Sequence, residues 1–259
     1  MLAEHADGAY TFGVFPHLPP SQIQRVYAPI AVDFSNALNQ KVNFRSTGSY
    51  KKFIEQLKSE AFDIVFIQPF DYVLAHDKYN YLPLVRWDIP MTSVIMVKKE
   101  SSFNTLYDLK GYTIANPSKT AAVSQMTKKA LLTAGLDVDK DVTLKYTRSH
   151  LSCMQKLILN DAQACGSTSG TLELLAKKID MTQLRILYET PGIPHVLYAV
   201  HRRVPEEARE AIKQAILTWP EREAGKKILQ IRNFSTFVPA NDVEYNVVRD
   251  FWRDEEKPE

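Results

Sequence analysis

The sequence has little glycine and almost no cysteine. Nine glycines in 259 residues are roughly half the usual share of about 7%, which argues against a glycine-rich phosphate-binding loop. The two cysteines, Cys153 and Cys165, are too few for a disulfide framework, and their spacing fits no zinc signature. We therefore expect both to be buried as small apolar side chains. The alternative is a thiolate that binds a soft metal or metalloid.

An excess of charge of one sign and long apolar runs are also missing. The 32 Lys and Arg residues against 30 Asp and Glu residues give a formal net charge of +2, too balanced for a protein that binds nucleic acid through counterion release. No apolar run reaches the ~18 residues of a membrane helix. The first eight residues lack the basic stretch and apolar stretch of a signal peptide. Motifs such as G-x-S-x-G and H-E-x-x-H are absent as well, so we expect no enzyme, no metal and no cofactor.

What the sequence does contain is an alternation of strand and helix patterns. A helix with Ser21 as N-cap should run to about Leu38 and be kinked or divided at Pro29. Another helix should begin at Ser49. Strands of apolar and β-branched residues are expected over 10–15, 41–46 and 63–67. Strand, helix and strand at this spacing predict right-handed crossovers and parallel pairing.

A second stretch repeats this alternation. Strands are expected over 93–98, 112–115, 142–146, 162–165, 185–189 and 196–200, and helices over 105–109, 120–134, 150–159, 171–178 and 206–217. At about 100–200 residues per domain, the length favours two compact units.

Five segments in this order resemble the motifs of one family. They are Phe12–Pro16, the stretch from Ser49 through Phe62 to Pro69, Leu109–Pro117, Ser149–His150 and Phe237–Tyr245. Together, over about residues 10–250, they resemble the phosphate-, phosphite- and phosphonate-binding periplasmic proteins of ABC transporters.

The resemblance implies an α/β fold of the type 2 periplasmic binding class. Each of its two lobes would be a mixed, mostly parallel sheet flanked by helices, with a ligand cleft between the lobes. Residues 1–95 and 196–259 would form the first lobe, and residues 96–195 the second. The hinge would be the strands near 93–98 and 196–200. Ligands of open α/β sheets bind beyond the carboxyl ends of the strands.

In the second lobe, the resemblance implies that Ser118, Lys119 and Thr120 hold an oxyanion at a helix N-terminus, where N–H groups and the helix dipole favour negative charge. The alternative is that Ser118 or Thr120 merely caps the helix. His150 matches a histidine that binds a ligand oxygen in relatives. Thr168 and Ser169 stand where relatives that bind aminoalkyl groups carry Asp-Ser. Because threonine cannot neutralise an ammonium, an amino-phosphonate should not be preferred.

In the first lobe, Tyr50 matches a position that contacts ligand in the family. Phe15, Gln68, Phe70 and Tyr72 lie in or near the loops that would line the cleft, with Gln68 where the family usually has glycine. Phe70 and Tyr72 could equally pack in the core. Arg86 is either an anion partner or part of a surface ion pair.

The function implied is that of a monomeric, extracytoplasmic binding protein. It would capture a small anionic ligand, a phosphonate, phosphite or phosphate, by hinge closure and deliver it to an ABC permease. One alternative is the ligand-sensing domain of a two-component sensor kinase, with the charged tail 253–259 as its junction. Another is a carrier of a ligand without phosphorus, such as another oxyanion, a metalloid or a larger apolar or lipid molecule, because Ala121 and Thr168 replace polar positions of the family.

Overall fold

Strands and helices alternate along the chain in a computed structural model, which describes residues 8–232 and 236–253. The strands are β1 (Tyr10–Val14), β2 (Val42–Ser46), β3 (Ile64–Ile67), β4 (Tyr81–Trp87), β5 (Ser93–Lys98), β6 (Thr113–Asn116), β7 (Thr143–Tyr146), β8 (Ala164–Thr168), β9 (Leu184–Glu189), β10 (Leu197–His201) and β11 (Phe237–Pro239). The helices are α1 (Pro20–Leu38), α2 (Tyr50–Lys58), α3 (Pro69–Tyr79), α4 (Ala122–Thr133), α5 (His150–Ile158), α6 (Leu172–Ala176), α7 (Glu206–Leu217), α8 (Glu223–Arg232) and α9 (Asn246–Arg253). The start of the chain and residues 254–259 of the charged tail lie outside the described residues.

The chain divides into two units. Unit 1 comprises the described residues of Met1–Ile89 and Pro194–Glu259, and unit 2 is Pro90–Ile193. The strands that we assigned to the hinge are β5 and β10, and the chain changes unit a few residues before each of them. Within the described part of the chain, no helix has the length and apolar character needed to cross a membrane.

The sheet of unit 1 has the strand order β11-β4-β10-β3-β1-β2. β1 pairs in parallel with both β2 and β3, as the crossover spacing predicted. β10, the first strand after the chain returns to this unit, is inserted antiparallel between β3 and β4. Aromatic rings fill the space under the sheet: Phe34 lies 5.3 Å from Phe12 and 5.7 Å from Tyr198 between ring centroids.

The sheet of unit 2 repeats the same scheme with the order β7-β6-β8-β5-β9. β6 pairs in parallel with β7 and β8, and β5, the first strand after the chain enters this unit, is antiparallel to β8 and β9. Apolar clusters cover both faces, one built around α5 and α6 and the other around α4. Coverage on both faces explains why Val94–Val97 of β5 are all apolar and buried.

Two features of unit 1 differ from the expectation. α1 begins at Pro20 with Pro19 as N-cap, because a proline in the first turn has no N–H that needs a partner. The helix is also continuous through Pro29, so the predicted division was wrong. We did not predict α3, because burial of its first five residues, Pro69–Val73, removes the polar face that marks an amphipathic helix.

Cys153 and Cys165 form a disulfide that joins α5 to β8. The prediction of two unpaired cysteines was wrong. Only 12 positions separate them in sequence, but α5 packs on β8 and brings their Cα atoms to 5.8 Å, within the range that a disulfide spans. Both residues are fully buried. Because the paired sulfurs hold no thiolate, the soft-metal alternative no longer applies.

Replacing both cysteines with alanine should lower the free energy of unfolding by about 3 kcal/mol, from the entropy of a closed loop of roughly 13 residues. Chemical denaturation with and without a reductant measures this. Reductant should destabilise the wild-type protein and leave the double variant unchanged. Alkylation of two thiols in the denatured protein before any reduction would contradict the pairing.

Candidate functional site

In unit 1, the loops after β1, β2 and β3 leave the same edge of the sheet, since the three strands are parallel. Phe15 follows β1, and its N–H donates to the Phe66 carbonyl at 3.2 Å. Its half-buried ring stacks on His17 at 4.4 Å. His17 is itself held by a contact of 3.2 Å between its Nε2 and the Tyr27 hydroxyl. The structure therefore fixes the Phe15 side chain at the predicted edge.

Tyr50 and Gln68 meet at this edge around a carboxylate that we had not predicted. The Tyr50 hydroxyl donates to Asp71 Oδ1, and Gln68 Nε2 lies 2.8 Å from both the Tyr50 hydroxyl and Asp71 Oδ2. Asp71 and Gln68 are buried, with 7% and 5% of their surface exposed. Burial raises the pKa of Asp71 to about 6, and burial and the nearby carboxylate raise the pKa of Tyr50. The sequence signal for Asp71 is an acidic residue in the first helical turn after a strand.

Phe70 and Tyr72 lie in the interior of unit 1. Phe70 packs edge-on against Phe251 at 5.3 Å. Tyr72 is fully buried and its hydroxyl donates to Asp242 at 2.8 Å. Arg86 holds the Glu244 carboxylate with two N–H groups, at 3.2 and 2.9 Å. These are the contacts expected if Phe70 and Tyr72 pack in the core and Arg86 forms an ion pair.

In unit 2, residues 117–121 connect β6 to α4 at the edge where β6, β7 and β8 end. The Ser118 and Thr120 hydroxyls are 2.9 Å apart, and both residues and Lys119 are exposed. The N-cap of α4 is Ala121, whose side chain makes no capping hydrogen bond. Neither hydroxyl residue therefore occupies the N-cap position, and the two hydroxyls lie together just before the helix.

Two buried polar side chains beside this segment were also missed. Asn116 ends β6 with 1% of its surface exposed, and neither atom of its side-chain amide has a hydrogen-bond partner among the described residues. The hydroxyl of Ser124, in the first turn of α4, is likewise buried without such a partner. A Cβ atom at Gly166 would lie 2.4 Å from Asn116 Oδ1, so the amide requires glycine at that point of β8.

His150 is the first residue of α5, and its Nδ1 lies 2.9 Å from the Ser167 hydroxyl at the end of β8. Ser167 is in turn 3.2 Å from the Thr171 hydroxyl, which donates to the Thr168 carbonyl at 2.9 Å. Burial lowers the pKa of His150 to about 4, so the ring is neutral at pH 7. The disulfide from Cys153 joins the same helix and strand next to this pair.

Thr168 is the last residue of β8 and Ser169 follows it, and both are half-buried. The Ser169 hydroxyl is 2.8 Å from that of Thr92, which donates to the Glu189 carboxylate at 2.7 Å. The structure thus links Thr168 to the His150 chain through Thr171, and Ser169 to a separate polar group. Across the described residues, no three His, Cys, Asp or Glu side chains form a group that could hold a metal ion.

Replacing His150 with glutamine should change how stability depends on pH. The folded protein holds His150 neutral, whereas the unfolded chain protonates it below about pH 6.5. The free energy of unfolding of the wild type is therefore highest above pH 6.5 and falls as the pH drops toward 4. A shift from 6.5 to about 4 corresponds to up to about 3 kcal/mol. Denaturation curves at pH 7.5 and 4 should show this loss in the wild type relative to the glutamine variant. Arg148→Gln, which changes an exposed side chain nearby, is the control; a glutamine variant with the wild-type pH profile would contradict the burial of a neutral ring.

Comparisons with known proteins agree with this architecture. Residues 12–245 match the model of the family described as ABC transporter, phosphonate, periplasmic substrate-binding protein. PhnD1 from Prochlorococcus marinus, solved with methylphosphonate, superposes with a TM-score of 0.82 at 18% identity, covering 97% of this chain and 99% of that one.

Two further solved structures share the fold. A binding protein of a phosphonate ABC transporter from Pseudomonas aeruginosa has a TM-score of 0.76 at 15% identity, covering 96% of this chain and 86% of its own. A Xanthomonas citri protein bound to ATP has a TM-score of 0.77 at 12% identity, covering 96% and 100%. The fold class implied by the sequence motifs is confirmed. Because the family match spans most of the chain, the protein belongs to the family of periplasmic substrate-binding proteins of phosphonate ABC transporters.

Proposed function

We propose that this protein binds a phosphorus oxyanion, a phosphonate, phosphite or phosphate, and that His150 and the hydroxyls near it in unit 2 are the neutral hydrogen-bond donors. The observation that carries the proposal is the pairing of His150 with Ser167 at the carboxyl edge of the sheet of unit 2, where the Ser118 and Thr120 hydroxyls also lie. Membership of the family already makes the chain a substrate-binding protein that delivers its ligand to an ABC permease. The ligand class and the residues are what we add.

The hydrogen-bond chain around His150 suits an oxyanion. Thr171 gives its proton to the Thr168 carbonyl, so its oxygen is able to accept one from Ser167. Ser167 has a single proton. If it goes to Thr171, Ser167 accepts from His150 Nδ1 and the ring Nε2 is an acceptor; if it goes to His150 Nδ1, the ring proton lies on Nε2 and is able to reach a ligand oxygen. A bound anion favours the second arrangement, in which Ser167 gives up its hydrogen bond to Thr171, so the ligand selects the tautomer that makes His150 a neutral donor.

We also propose the remaining ligand contacts, the hinge and the oligomeric state. The other proposed ligand contacts are Phe15, Tyr50 and Gln68 of unit 1 and Ser118, Lys119, Thr120, Thr168 and Ser169 of unit 2. Phe70 is a weaker member of this set, because its ring is buried against Phe251. We place the hinge at the two passages between units, next to Pro90 and Pro194. The protein is proposed to work as a monomer.

Location outside the cytoplasm agrees with two observations. The family is periplasmic, and a disulfide such as that of Cys153 and Cys165 persists in an oxidising compartment.

A ligand without phosphorus is the second candidate. Ala121 offers a methyl group where the family pattern has a polar side chain, and the Xanthomonas citri protein of this fold was solved with ATP, a much larger molecule. Use of the same fold in a sensor kinase remains a further proposal. Native mass spectrometry of the purified protein, followed by thermal shifts with oxyanions, nucleotides and lipids, separates these ligand classes.

Changing Thr120 and His150 together to alanine should weaken binding of methylphosphonate, phosphite or phosphate by more than tenfold, since each lost hydrogen bond to a charged ligand is worth roughly 1.5–3 kcal/mol. Calorimetric titration measures the change. Thr143→Ala, at the opposite end of the strands in the same unit, is the control. Unchanged affinity in the double variant would contradict this placement of the site.

A further inference from the structure

The directions of the hydrogen bonds among Tyr50, Gln68 and Asp71 follow from chemistry. An ionised carboxylate only accepts, so the Gln68 atom facing Asp71 Oδ2 must be the amide nitrogen, as the 2.8 Å contact has it. The same nitrogen lies 2.8 Å from the Tyr50 oxygen and has its second proton available for it. An amide nitrogen does not accept, so Tyr50 must direct its own proton to Asp71 Oδ1.

This ring of bonds uses the single proton of the Tyr50 hydroxyl. One lone pair of its oxygen is occupied by Gln68, and the other remains. With Asp71 ionised, Tyr50 is therefore able to accept a hydrogen bond from a further partner and unable to donate one. A fully ionised phosphorus oxyanion offers only acceptor oxygens, and two acceptors facing each other repel.

Burial keeps the arrangement in place. Gln68 and Asp71 are almost entirely inside unit 1, whereas Tyr50 is half-buried at the edge where the parallel strands end. Two donors converge on the two oxygens of Asp71, which is the pattern that stabilises a buried carboxylate. The pKa of Asp71, about 6, leaves most of this group ionised at pH 7. Asp71 and Gln68, which are buried next to Tyr50, therefore make its hydroxyl oxygen a hydrogen-bond acceptor.

We propose that Tyr50 accepts a hydrogen bond from the ligand, so that this protein selects an anion carrying a P–OH donor over one that is fully ionised or esterified. The inference rests on the proposed function, because it assumes that Tyr50 contacts a phosphorus ligand. Asp71 acts as a positioning residue, since it orients the Tyr50 hydroxyl without contacting the ligand. The selectivity therefore depends on a carboxylate that the ligand does not touch.

The test compares methylphosphonate with its monomethyl ester by calorimetry at pH 7. The singly charged form of methylphosphonate and the ester have the same charge, but only the former has a P–OH donor. Wild-type protein should prefer methylphosphonate. In Tyr50→Phe this preference should shrink by roughly tenfold or more, because methylphosphonate loses a hydrogen bond while the ester loses none and is relieved of a facing acceptor. A third titration, with 2-aminoethylphosphonate, tests the ammonium as the donor: a loss in Tyr50→Phe confined to that ligand would overturn the assignment of the P–OH group.

Asp71→Leu gives an effect in the opposite direction. Without the carboxylate, the Tyr50 proton is free to turn to the ligand, so the ester should bind more tightly than to wild type, a gain that damage to the fold does not produce. Tyr79→Phe, the same substitution elsewhere in unit 1, should change no affinity, and thermal unfolding checks that each variant is folded.

The two ways of failing are distinct. If Tyr50→Phe weakens methylphosphonate and the ester equally, or Asp71→Leu fails to improve binding of the ester, the acceptor role of Tyr50 is overturned while the proposed function stands. If wild-type protein binds none of the three phosphorus ligands, the proposed function is overturned and this inference with it.

Discussion

Three neighbouring parallel strands in each unit, β2-β1-β3 and β7-β6-β8, end at one edge of their sheet. This constraint decides where every candidate residue lies, because the loops that leave parallel strands in the same direction must emerge together. The reversed strand beside each set, β10 or β5, is the one formed as the chain enters the unit. Two separate segments of the chain thereby build two similar edges, each lined by short polar loops.

The polar groups at the two edges differ in charge. His150 is held neutral by burial, and the groups nearest to it are hydroxyls. On the other unit, a carboxylate is enclosed by Tyr50 and Gln68. Dipoles held in this way would bind the proposed anion by direction as well as by charge, because neighbouring groups limit which atoms donate and which accept. This agrees with the small net charge of the chain, which leaves little long-range field to attract anions.

Part of the site followed from the sequence because it uses local signals. Ser149 and the helix start at His150 are adjacent in the chain, and the strand–helix junction at 117–121 is visible as a break in the apolar pattern. Asp71, Asn116 and Ser167 did not follow, since each acquires its importance from a partner far along the chain or from burial. The disulfide was missed for the same reason: packing of α5 on β8, and not the spacing of the cysteines, brings the sulfurs together.

By itself, the sequence determined the order of strands and helices in the parallel halves, the family and thereby the fold, because apolar periodicity and short motifs are local properties. It missed α3, whose first five residues are all buried and show no periodic contrast between apolar and polar positions. Only the tertiary structure decided which polar groups face one another: that His150 lies against Ser167, that the cysteines are bonded, and that Tyr50 gives its proton to Asp71. Hydrogen-bond direction depends on all the neighbours of an atom in space, and sequence spacing does not contain that information.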